Sequence, residues 1–316
     1  MTGRLSRAAL AALVVLAGAA GCAAPGAAPK PPAGAAAYPA QVSTVQRQTG
    51  ASCDPEASSL APNGPPAASP GSFAAAIRAR GYLIAGVDQS TYHFGFLNPI
   101  DNQIEGFDID MVNAVAQAIF GSGYKSHIEF KAIPDSDRIP DLRSGAVDIV
   151  AHTMTITCGR LRQIDFSSVY YNAQAELLVL KAPGAARSLA GLKGQKVCAT
   201  SGSDDVSIIG RYGAVPVEEP YWTDCLVDLQ QGQAAGIVTD DSILHGLVAQ
   251  DPFTAIVTGS LEPEPYGLGI SKRHPDFVRF VNAVLAQVES DGRWQADHRR
   301  WVGGPAPAPP PARYAS

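Results

Sequence analysis

The sequence predicts an α/β protein of two lobes, each a mostly parallel sheet with flanking helices, joined by two hinge strands. Strand patterns alternate with helical patterns between residues 73 and 151, and the alternation returns between residues 196 and 248. Extended apolar runs at residues 175–181 and 266–271 flank the second unit. A chain that crosses into a second lobe and returns needs two such runs.

The elements follow one another without long gaps. In lobe 1 we expect a helix at 73–81 closed by glycine, a strand at 82–87, an amphipathic helix at 111–120, a strand at 127–133, a helix at 139–144 and a strand at 147–151. In lobe 2 we expect strands at 196–200, 214–217 and 236–239 and helices from about 206, at 225–231 and at 241–248. An amphipathic helix at 277–289 then rejoins lobe 1. The expected lobes are residues 73–177 with 268–302, and residues 178–267.

Composition separates the folded part from the ends of the chain. The chain has 316 residues, of which 46% are hydrophobic, enough for a sizeable core. With 24 Lys and Arg against 29 Asp and Glu, the net charge is −5, which argues against a nucleic-acid partner. Residues 22–72 and 303–316 are rich in proline and alanine. They predict an extended tether and a disordered tail.

The first 22 residues have the pattern of an export signal. Arg4 and Arg7 precede an apolar run at 8–20 that is short for a membrane span. Cys22 directly follows Ala-Ala-Gly, which resembles a bacterial lipobox, although Ala19 stands at the usual leucine position. We therefore expect a lipoprotein signal peptide at 1–21 and lipidation of Cys22. The alternative is a plain signal peptide with an incidental cysteine.

The remaining cysteines favour disulfides over a metal site. An even number of cysteines in an exported protein indicates two bonds, and four cysteines allow three connectivities. We favour Cys198 with Cys225 and Cys53 with Cys158. Zinc is disfavoured because no Cys-x-x-Cys spacing or close histidine pair occurs, so we expect neither a metal nor a cofactor.

The polar loop after the third strand predicts a carboxylate site. Hydroxyls at Thr153, Thr155 and Thr157 lead to Arg160 at the carboxyl end of a strand. A guanidinium, hydroxyls and backbone N–H groups together bind a carboxylate well. The alternative is a solvated arginine on a polar loop.

Two other sequence patterns could suggest catalytic residues, but each has a simpler interpretation. Asp108 and Asp110 lie just ahead of a helix, where carboxylates accept from free backbone N–H groups, so we prefer helix capping to a catalytic pair. Ser201-Gly-Ser203 lacks the full elbow of a serine nucleophile.

Taken together, the motifs resemble those of the family 3 extracellular solute-binding proteins, the polar amino-acid receptors of ABC importers. The resemblance spans residues 76–302 and depends on Arg80-Gly-Tyr-Leu, Gly106-Phe-Asp-Ile-Asp110, Met154-Thr-Ile-Thr157 with Arg160, Asp165-Phe-Ser167 before Tyr170-Tyr171, and Tyr266-Gly267. It implies the type II periplasmic-binding-protein fold, in which the ligand binds between the lobes.

The resemblance also implies roles for individual residues. Arg160 matches the clamp on the ligand α-carboxylate, and Thr155 assists it through its backbone N–H and hydroxyl. The N–H groups and hydroxyls of the segment from Thr200 to Ser203 complete that site. Asp240 matches the acid that accepts the α-ammonium. Asp88 lies in the loop that touches the ligand side chain, where Thr91, Tyr92 and His93 replace the aromatic sandwich of glutamine receptors.

Arg138 distinguishes acidic ligands from their amides. In Ser136-Asp-Arg-Ile-Pro140 it resembles the arginine that binds the side-chain carboxylate in glutamate and aspartate receptors. A buried carboxylate is costly unless it is paired. A site that offers one arginine for each carboxylate therefore favours an acidic amino acid over its amide. The alternative is an arginine paired with Asp135 or Asp137.

We therefore expect a lipid-anchored, non-enzymatic receptor that closes on glutamate or aspartate, with asparagine or glutamine as lesser ligands. The tether, cysteine pattern and proline-rich end are similar to those of actinobacterial glutamine-binding lipoproteins within this family. That likeness implies as partner either ABC importer membrane subunits or a membrane sensor upstream of a Ser/Thr kinase. The rival hypotheses are a secreted dehydratase with His93, His152 or Asp88 as general acid, and a structural envelope protein.

Overall fold

Two five-stranded sheets organise residues 53–315, the part of the chain that this computed structural model describes. The predicted signal peptide at 1–21, the lipidation site Cys22 and the first part of the tether lie outside these described residues. Among residues 53–315, no helix combines the length and the apolar character needed to span a membrane.

The secondary structure alternates as the sequence predicts. The strands are β1 (Leu83–Val87), β2 (Ser90–Thr91), β3 (Gly95–Leu97), β4 (Ile104–Glu105), β5 (Ile128–Ala132), β6 (Ile149–Ala151), β7 (Asp165–Phe166), β8 (Tyr171–Leu180), β9 (Lys196–Thr200), β10 (Val215–Glu219), β11 (Ile237–Asp240), β12 (Thr254–Tyr266) and β13 (Gly269–Ile270). The helices are α1 (Phe73–Arg80), α2 (Phe107–Phe120), α3 (Arg138–Ser144), α4 (Cys158–Leu161), α5 (Asp205–Arg211), α6 (Trp222–Gln230), α7 (Asp241–Gln250), α8 (Pro275–Ser290) and α9 (Arg293–Trp301). Short 3-10 turns lie at Pro55–Ala57, Gly121–His127, Asp135–Asp137 and Leu189–Leu192.

The lobe 1 sheet has the strand order β5-β1-β6-β13-β7. Strand β1 pairs in parallel with β5 and β6, whereas β13 pairs antiparallel to β6 and β7. Helices α1, α2 and α8 pack together, and their buried aliphatic and aromatic side chains form the core on one face of this sheet. The loops after β1 and β6 leave from the same edge, because parallel strands end at the same edge of a sheet. That edge holds the predicted site of lobe 1.

The lobe 2 sheet has the order β10-β9-β11-β8-β12, and the two long strands β8 and β12 carry the chain between lobes. They pair antiparallel from Tyr171 opposite Tyr266 onward. Strand β8 pairs with β12 from Tyr171 onward, while Tyr171 and Ala173 also pack in the core of lobe 1. The first crossing between the lobes therefore lies along the first half of β8, and the expected boundary at residue 178 stays a prediction.

The expected tether differs from the structure over its last 20 residues, 53–72, which pack against lobe 1. The Ser59 hydroxyl donates to the Phe166 carbonyl at 2.7 Å, and the Asn282 side-chain amide donates to Ser59 Oγ and to the Leu60 carbonyl, both at 2.7 Å. The Arg279 guanidinium reaches the Ala61 carbonyl at 2.5 Å. Backbone carbonyls supply several of these contacts, and the side chains of Leu60 and Ala68 pack against the lobe 1 core.

The expected disordered tail also contacts the body. Arg313 forms ion pairs with Asp54 at 2.5 Å and with Glu56 at 3.3 Å. The Ala315 backbone N–H donates to the Ser59 carbonyl at 2.8 Å. The two ends of the described chain therefore hold each other on the surface of lobe 1.

The sequence prediction for lobe 1 lacks the short helix α4 and the short strand β7, and it also lacks a small sheet and helix α9. Strands β2, β3 and β4 form a small antiparallel sheet where a loop was expected. Helix α9 follows α8, and its buried Trp294 donates from Nε1 to the Tyr170 carbonyl at 2.8 Å. Trp301 donates to Asp110 at 2.6 Å. Helix α9 consists mostly of charged and polar residues. Trp294 and Trp301 are its only large apolar side chains, so the sequence pattern gave little indication of a packed helix.

Both favoured disulfides are present. Cys198 at β9 joins Cys225 on α6, with Cα atoms 5.5 Å apart. Cys53 joins Cys158 at the start of α4, across 105 residues of sequence. The second bond ties the N-terminal segment to the short helix that carries Arg160.

Replacing Asn282 by alanine should destabilise the protein and release residues 53–62. Asn282 is fully buried, and its Oδ1 also accepts from the Ser168 N–H at 2.7 Å. Each buried partner left unpaired costs about 1–3 kcal/mol, so we expect the free energy of unfolding in urea to fall by about 2–5 kcal/mol. Limited proteolysis should then cut this segment first.

Asn113→Ala is the matched control, since Asn113 is half-buried and has only a 3.3 Å bond to Asp110. It should change stability by less than about 0.5 kcal/mol. Equal losses in the two variants, or a segment that stays protected in Asn282→Ala, would contradict the packing described.

Candidate ligand-binding cleft

Two buried arginines of lobe 1 point across the cleft at one carbonyl of lobe 2. Arg138 begins α3 and Arg160 lies in α4; they are 3% and 7% exposed. Their Nη2 atoms donate to the Gly202 carbonyl oxygen at 3.3 Å and 3.2 Å. The structure thus brings the two arginines predicted from sequence to a single point between the lobes.

Lobe 1 fixes the orientation of Arg160 from both sides. Its Nη1 donates to the Thr155 carbonyl at 2.7 Å, and its backbone N–H donates to the Thr157 hydroxyl at 3.2 Å. Its Nη2 lies 3.1 Å from the carboxylate of Asp204 in lobe 2. The Thr155 backbone, not its hydroxyl, therefore supplies the contact that holds this guanidinium.

Arg138 forms an ion pair with Asp135, which was the alternative to a role in ligand binding. Its Nη1 lies 3.1 Å from Asp135, and it also donates to the carbonyls of Asp135 and His152 at 3.0 and 3.1 Å. The Thr200 hydroxyl donates to the same aspartate from lobe 2. Burial would raise the pKa of Asp135, but Arg138, His152 and this hydroxyl together hold it below its usual value. Arg138 thus combines a structural pair with one face turned to the cleft.

Asp108 supports the polar loop rather than capping its helix, which corrects the sequence prediction. It accepts the Thr153 N–H at 2.7 Å and the Tyr170 hydroxyl at 2.6 Å, and Gly106 occupies the N-cap of α2. Burial raises the pKa of Asp108 to about 6. Thr153 adopts a φ of 42°, a strained value for a threonine that the bond to Asp108 helps to hold.

The other residues predicted in lobe 1 are engaged locally. Asp88 accepts from the N–H groups of Gln89 and Ser90 at 2.6 and 2.9 Å and from the Thr91 hydroxyl. His152 has Nε2 2.9 Å from the Ile133 carbonyl and Nδ1 3.2 Å from Asp135. Both side chains shape the loops, and neither has the free, cleft-facing atom that a general acid needs.

The segment from Thr200 to Ser203 presents a carbonyl to the arginines, where the sequence analysis expected N–H groups and hydroxyls. Gly202 reaches this position with a φ of 88°, and an added Cβ would lie 2.7 Å from the Ser136 Cα in lobe 1. The Ser203 hydroxyl is buried and has no hydrogen-bond partner among the described residues. The backbones of the two lobes therefore lie close together at this glycine.

Asp240 ends β11 within a group of three buried carboxyls. Its Oδ2 accepts the Tyr266 hydroxyl at 2.5 Å. Oxygens of Asp205, Asp240 and Glu264 lie within 4.8 Å of one another, the only such acidic group with metal-ligand spacing within residues 53–315. Burial, then the neighbouring carboxylates, raises the pKa of Asp205 and Asp240 well above the usual range and that of Glu264 to about 10. Neither Asp205 nor Glu264 was predicted from the sequence, although Glu264 lies two residues before Tyr266 at the return crossing.

A cavity of about 580 Å³ adjoins the arginine pair. Arg138, Arg160, Arg143 and Gln163 line it from lobe 1, and Gly202 lines it from lobe 2. Its volume lies in the range of small-molecule sites. Its polar lining includes three arginines and Asp135, whereas the side of the cleft around Asp240 carries the group of buried carboxyls.

The chain matches the bacterial extracellular solute-binding proteins, family 3, over residues 83–304. It belongs to this family. The resemblance inferred from the motifs is thereby confirmed, as is the two-lobed type II α/β fold. Family membership makes the chain an amino-acid-binding solute receptor of the ABC importer class.

Relatives differ in the amino acid that their names state. The ABC transporter glutamine-binding protein GlnH of Bacillus subtilis (strain 168) is 34% identical over 231 residues, which cover 72% of this chain and 84% of the relative. The glutamate-binding protein GluB of Corynebacterium glutamicum is 28% identical over 234 residues, 71% of this chain and 79% of the relative.

A solved structure links the fold to an enzyme lineage. The ancestral amino acid-binding protein AncCDT-1, described as a precursor of cyclohexadienyl dehydratase, superposes with a TM-score of 0.66 at 28% identity. The match covers 73% of this chain and 99% of that one.

Replacing Gly202 by alanine should hold the lobes apart. The new Cβ would clash with the Ser136 backbone across the cleft, so we expect ligand affinity to fall at least about tenfold, with a larger radius of gyration in small-angle scattering. Gly232→Ala is the matched control, because Gly232 has a φ of 70° but nothing within 4 Å of its added Cβ. Similar effects in both variants would show that backbone strain, not closure, is responsible.

Replacing Glu264 by glutamine should stabilise the ligand-free protein, and more so at high pH. The folded pKa of about 10 exceeds the usual 4.5, so the stability associated with the protonated group is complete below pH 4.5 and is lost as pH rises toward 10. At pH 8 we expect a gain on the order of 2 kcal/mol, about 4–8 °C in Tm, with little gain at pH 5.

Thermal unfolding at both pH values measures this difference. The control is Glu262→Gln on the same strand, an exposed residue paired with the exposed Arg211. It should show no such trend with pH. A Tm gain in Glu264→Gln that is equal at pH 5 and pH 8 would argue against a raised pKa.

Proposed function

We propose that this chain is a lipid-anchored extracytoplasmic receptor that binds an acidic amino acid, glutamate or aspartate, by closure of its two lobes. The observation that carries the proposal is the convergence of Arg138 and Arg160 on the Gly202 carbonyl. That carbonyl stands where a ligand carboxylate would be most strongly attracted. Asparagine and glutamine are secondary ligands of the same site.

Two arginines suit a ligand with two carboxylates. Arg160 would bind the α-carboxylate, since Thr155 and Thr157 hold it rigidly. Arg138 would bind the side-chain carboxylate through Nη2, the atom that its pair with Asp135 leaves facing the cleft. Charge-assisted hydrogen bonds from a guanidinium contribute roughly 1.5–3 kcal/mol each, which favours an acid over its amide.

Closure follows from the distribution of charge between lobes. The cations belong to lobe 1, whereas Asp240, which would accept the α-ammonium, ends a strand of lobe 2. A zwitterion gains all its bonds only when the cleft is shut, so binding shifts the population toward the closed form. A shift from 1:99 to 99:1 needs about 5.5 kcal/mol of differential affinity, which a few charge-assisted bonds supply.

The membrane part of the proposal is supported by sequence. Cys22 in its lipobox-like context would place the receptor on the outer face of the cytoplasmic membrane. The partner would be the membrane subunits of an importer, in line with the family. A membrane sensor upstream of a Ser/Thr kinase is the alternative partner.

A dehydratase is the weaker candidate, despite the lineage of one structural neighbour. The nominated acids Asp88 and His152 are held by their own loops and by Asp135. His93 contacts the Tyr92 ring, with centroids 4.2 Å apart, and burial lowers its pKa. These contacts support a receptor in preference to an acid catalyst.

Replacing Arg138 by methionine should discriminate between ligands. Glutamate and aspartate lose a carboxylate partner, so we expect their Kd to rise about 10–100-fold, whereas glutamine should lose about threefold or less. Isothermal titration calorimetry with each amino acid measures this, after a thermal-shift screen of all twenty.

Arg162→Met is the control for a lost positive charge, because Arg162 is exposed and bonds only to the nearby Cys158 carbonyl. It should leave all three affinities near wild type. An equal loss for glutamate, aspartate and glutamine in Arg138→Met would refute the role of Arg138.

A further inference from the structure

The cavity beside the arginine pair includes residues that the proposed function does not use. Arg138, Arg160 and Gly202 line it, whereas Asp240, which would accept the α-ammonium, does not. The rest of its polar lining consists of Asp135 and four further side chains of lobe 1: Ser136, Arg143, Ser144 and Gln163. The arginine pair therefore has a second side, which faces this cavity.

The lining of the cavity passes from buried to exposed residues. Asp135, Arg138 and Arg160 are 6%, 3% and 7% exposed. The four side chains of lobe 1 that complete the polar lining are all exposed: Ser136, Arg143, Ser144 and Gln163. The cavity is thus a passage that leads from solvent to the arginine pair.

This passage is positively charged in a protein that is negative overall. Its lining carries three arginines and one aspartate, a net charge of +2, whereas the whole chain has a net charge of −5. Glutamate and aspartate each carry a net charge of −1 near neutral pH, so the overall charge of the protein repels them. The passage is the part of the cleft that attracts them.

Arg143 is the arginine of the passage that lacks a carboxylate partner. Arg138 lies 3.1 Å from Asp135, and Arg160 lies 3.1 Å from Asp204, but Arg143 forms no ion pair with any residue of the described range 53–315. It lies in the last turn of α3, where the nearby Asp141 is bound by Lys131 at 2.9 Å. The positive charge of Arg143 is therefore available to a ligand that arrives from solvent.

We propose that this passage is a vestibule that collects acidic amino acids, and that Arg143 is a positioning residue whose charge draws them toward Arg138 and Arg160. This inference rests on the proposed function, because it assumes an anionic amino acid as ligand. It extends that function by placing part of the selectivity for acids over amides in the rate of association.

A steering role depends on charge and on salt. The attraction between unit charges about 5 Å apart changes an association rate about twofold at 0.1 M salt, where the Debye length is about 10 Å. At 1 M salt the Debye length is about 3 Å, and the change falls to about 1.3-fold. The bound ligand keeps its contacts with Arg138 and Arg160, so the dissociation rate should stay near wild type.

Association kinetics of the full chain test the vestibule. Stopped-flow tryptophan emission gives the association rates of glutamate, aspartate and glutamine at 0.1 M and 1 M NaCl. At 0.1 M we expect Arg143→Gln to slow glutamate and aspartate about twofold and Arg143→Glu about fivefold, with glutamine near wild type. At 1 M these differences should fall below about twofold. Calorimetry of the same proteins should give Kd values that change by the same ratios.

Two further variants separate charge from shape and from position. Arg143→Lys keeps the positive charge but loses the planar fork, so steering predicts association at the wild-type rate. Arg187→Gln is the matched control for a lost surface charge, because Arg187 is exposed in lobe 2 and lines a different cavity. It should leave every rate near wild type.

The outcomes separate this inference from the proposed function. Absence of glutamate and aspartate binding by the wild type would refute the receptor proposal itself. Binding at equal rates in wild type and Arg143→Glu at 0.1 M salt would overturn the vestibule and leave the receptor standing. Equal slowing of glutamate and glutamine would show a merely structural role of Arg143 in α3, and an Arg143→Lys variant as slow as Arg143→Gln would exclude steering by charge.

Discussion

Buried basic and acidic side chains on opposite sides of one cleft are the constraint on which this structure depends. Lobe 1 contributes Arg138 and Arg160, and lobe 2 contributes Asp205 and Asp240, with the half-buried Asp204 paired to Arg160. Charge buried away from water is tolerated only when it is paired or hydrogen-bonded. Each lobe therefore leaves some of its buried polar groups without a partner of its own. Contact with the other lobe, or with a zwitterion between the lobes, supplies these partners.

The scaffold of lobe 1 serves to hold its arginines still. Carbonyls of Thr155 and His152 receive the guanidiniums, and Asp108 holds the Thr153 backbone between them in a strained conformation. Tyr170 joins that network from the end that leads into β8. The loop that carries Thr153 and the start of hinge strand β8 thus belong to one hydrogen-bonded network. This network couples the hinge strands to the candidate ligand site. Preorganisation of this kind reduces the ordering cost of binding.

Sequence reasoning located residues well where their place follows from the order of strands and helices. The alternating pattern places Arg160 after β6 in lobe 1 and Asp240 at the end of β11 in lobe 2, as the structure has them. Sequence reasoning failed where the role of a residue depends on partners that lie far away along the chain. Asp108 looks like a helix cap, but its partners lie 45 and 62 residues away. Helix α9 was missed because its buried tryptophans are scattered among charged residues.

The ends of the folded body illustrate the same limit. Residues 53–72 have the composition of a tether, and composition describes only what side chains can bury. Here backbone carbonyls of Leu60 and Ala61 bind Asn282 and Arg279, and only Leu60 and Ala68 of this segment pack against the lobe 1 core. The Cys53–Cys158 bond then continues this attachment to α4. A segment that leads back toward Cys22 is in this way joined covalently to the helix that carries Arg160. The bond therefore limits how far α4 and the N-terminal side of the body can move apart.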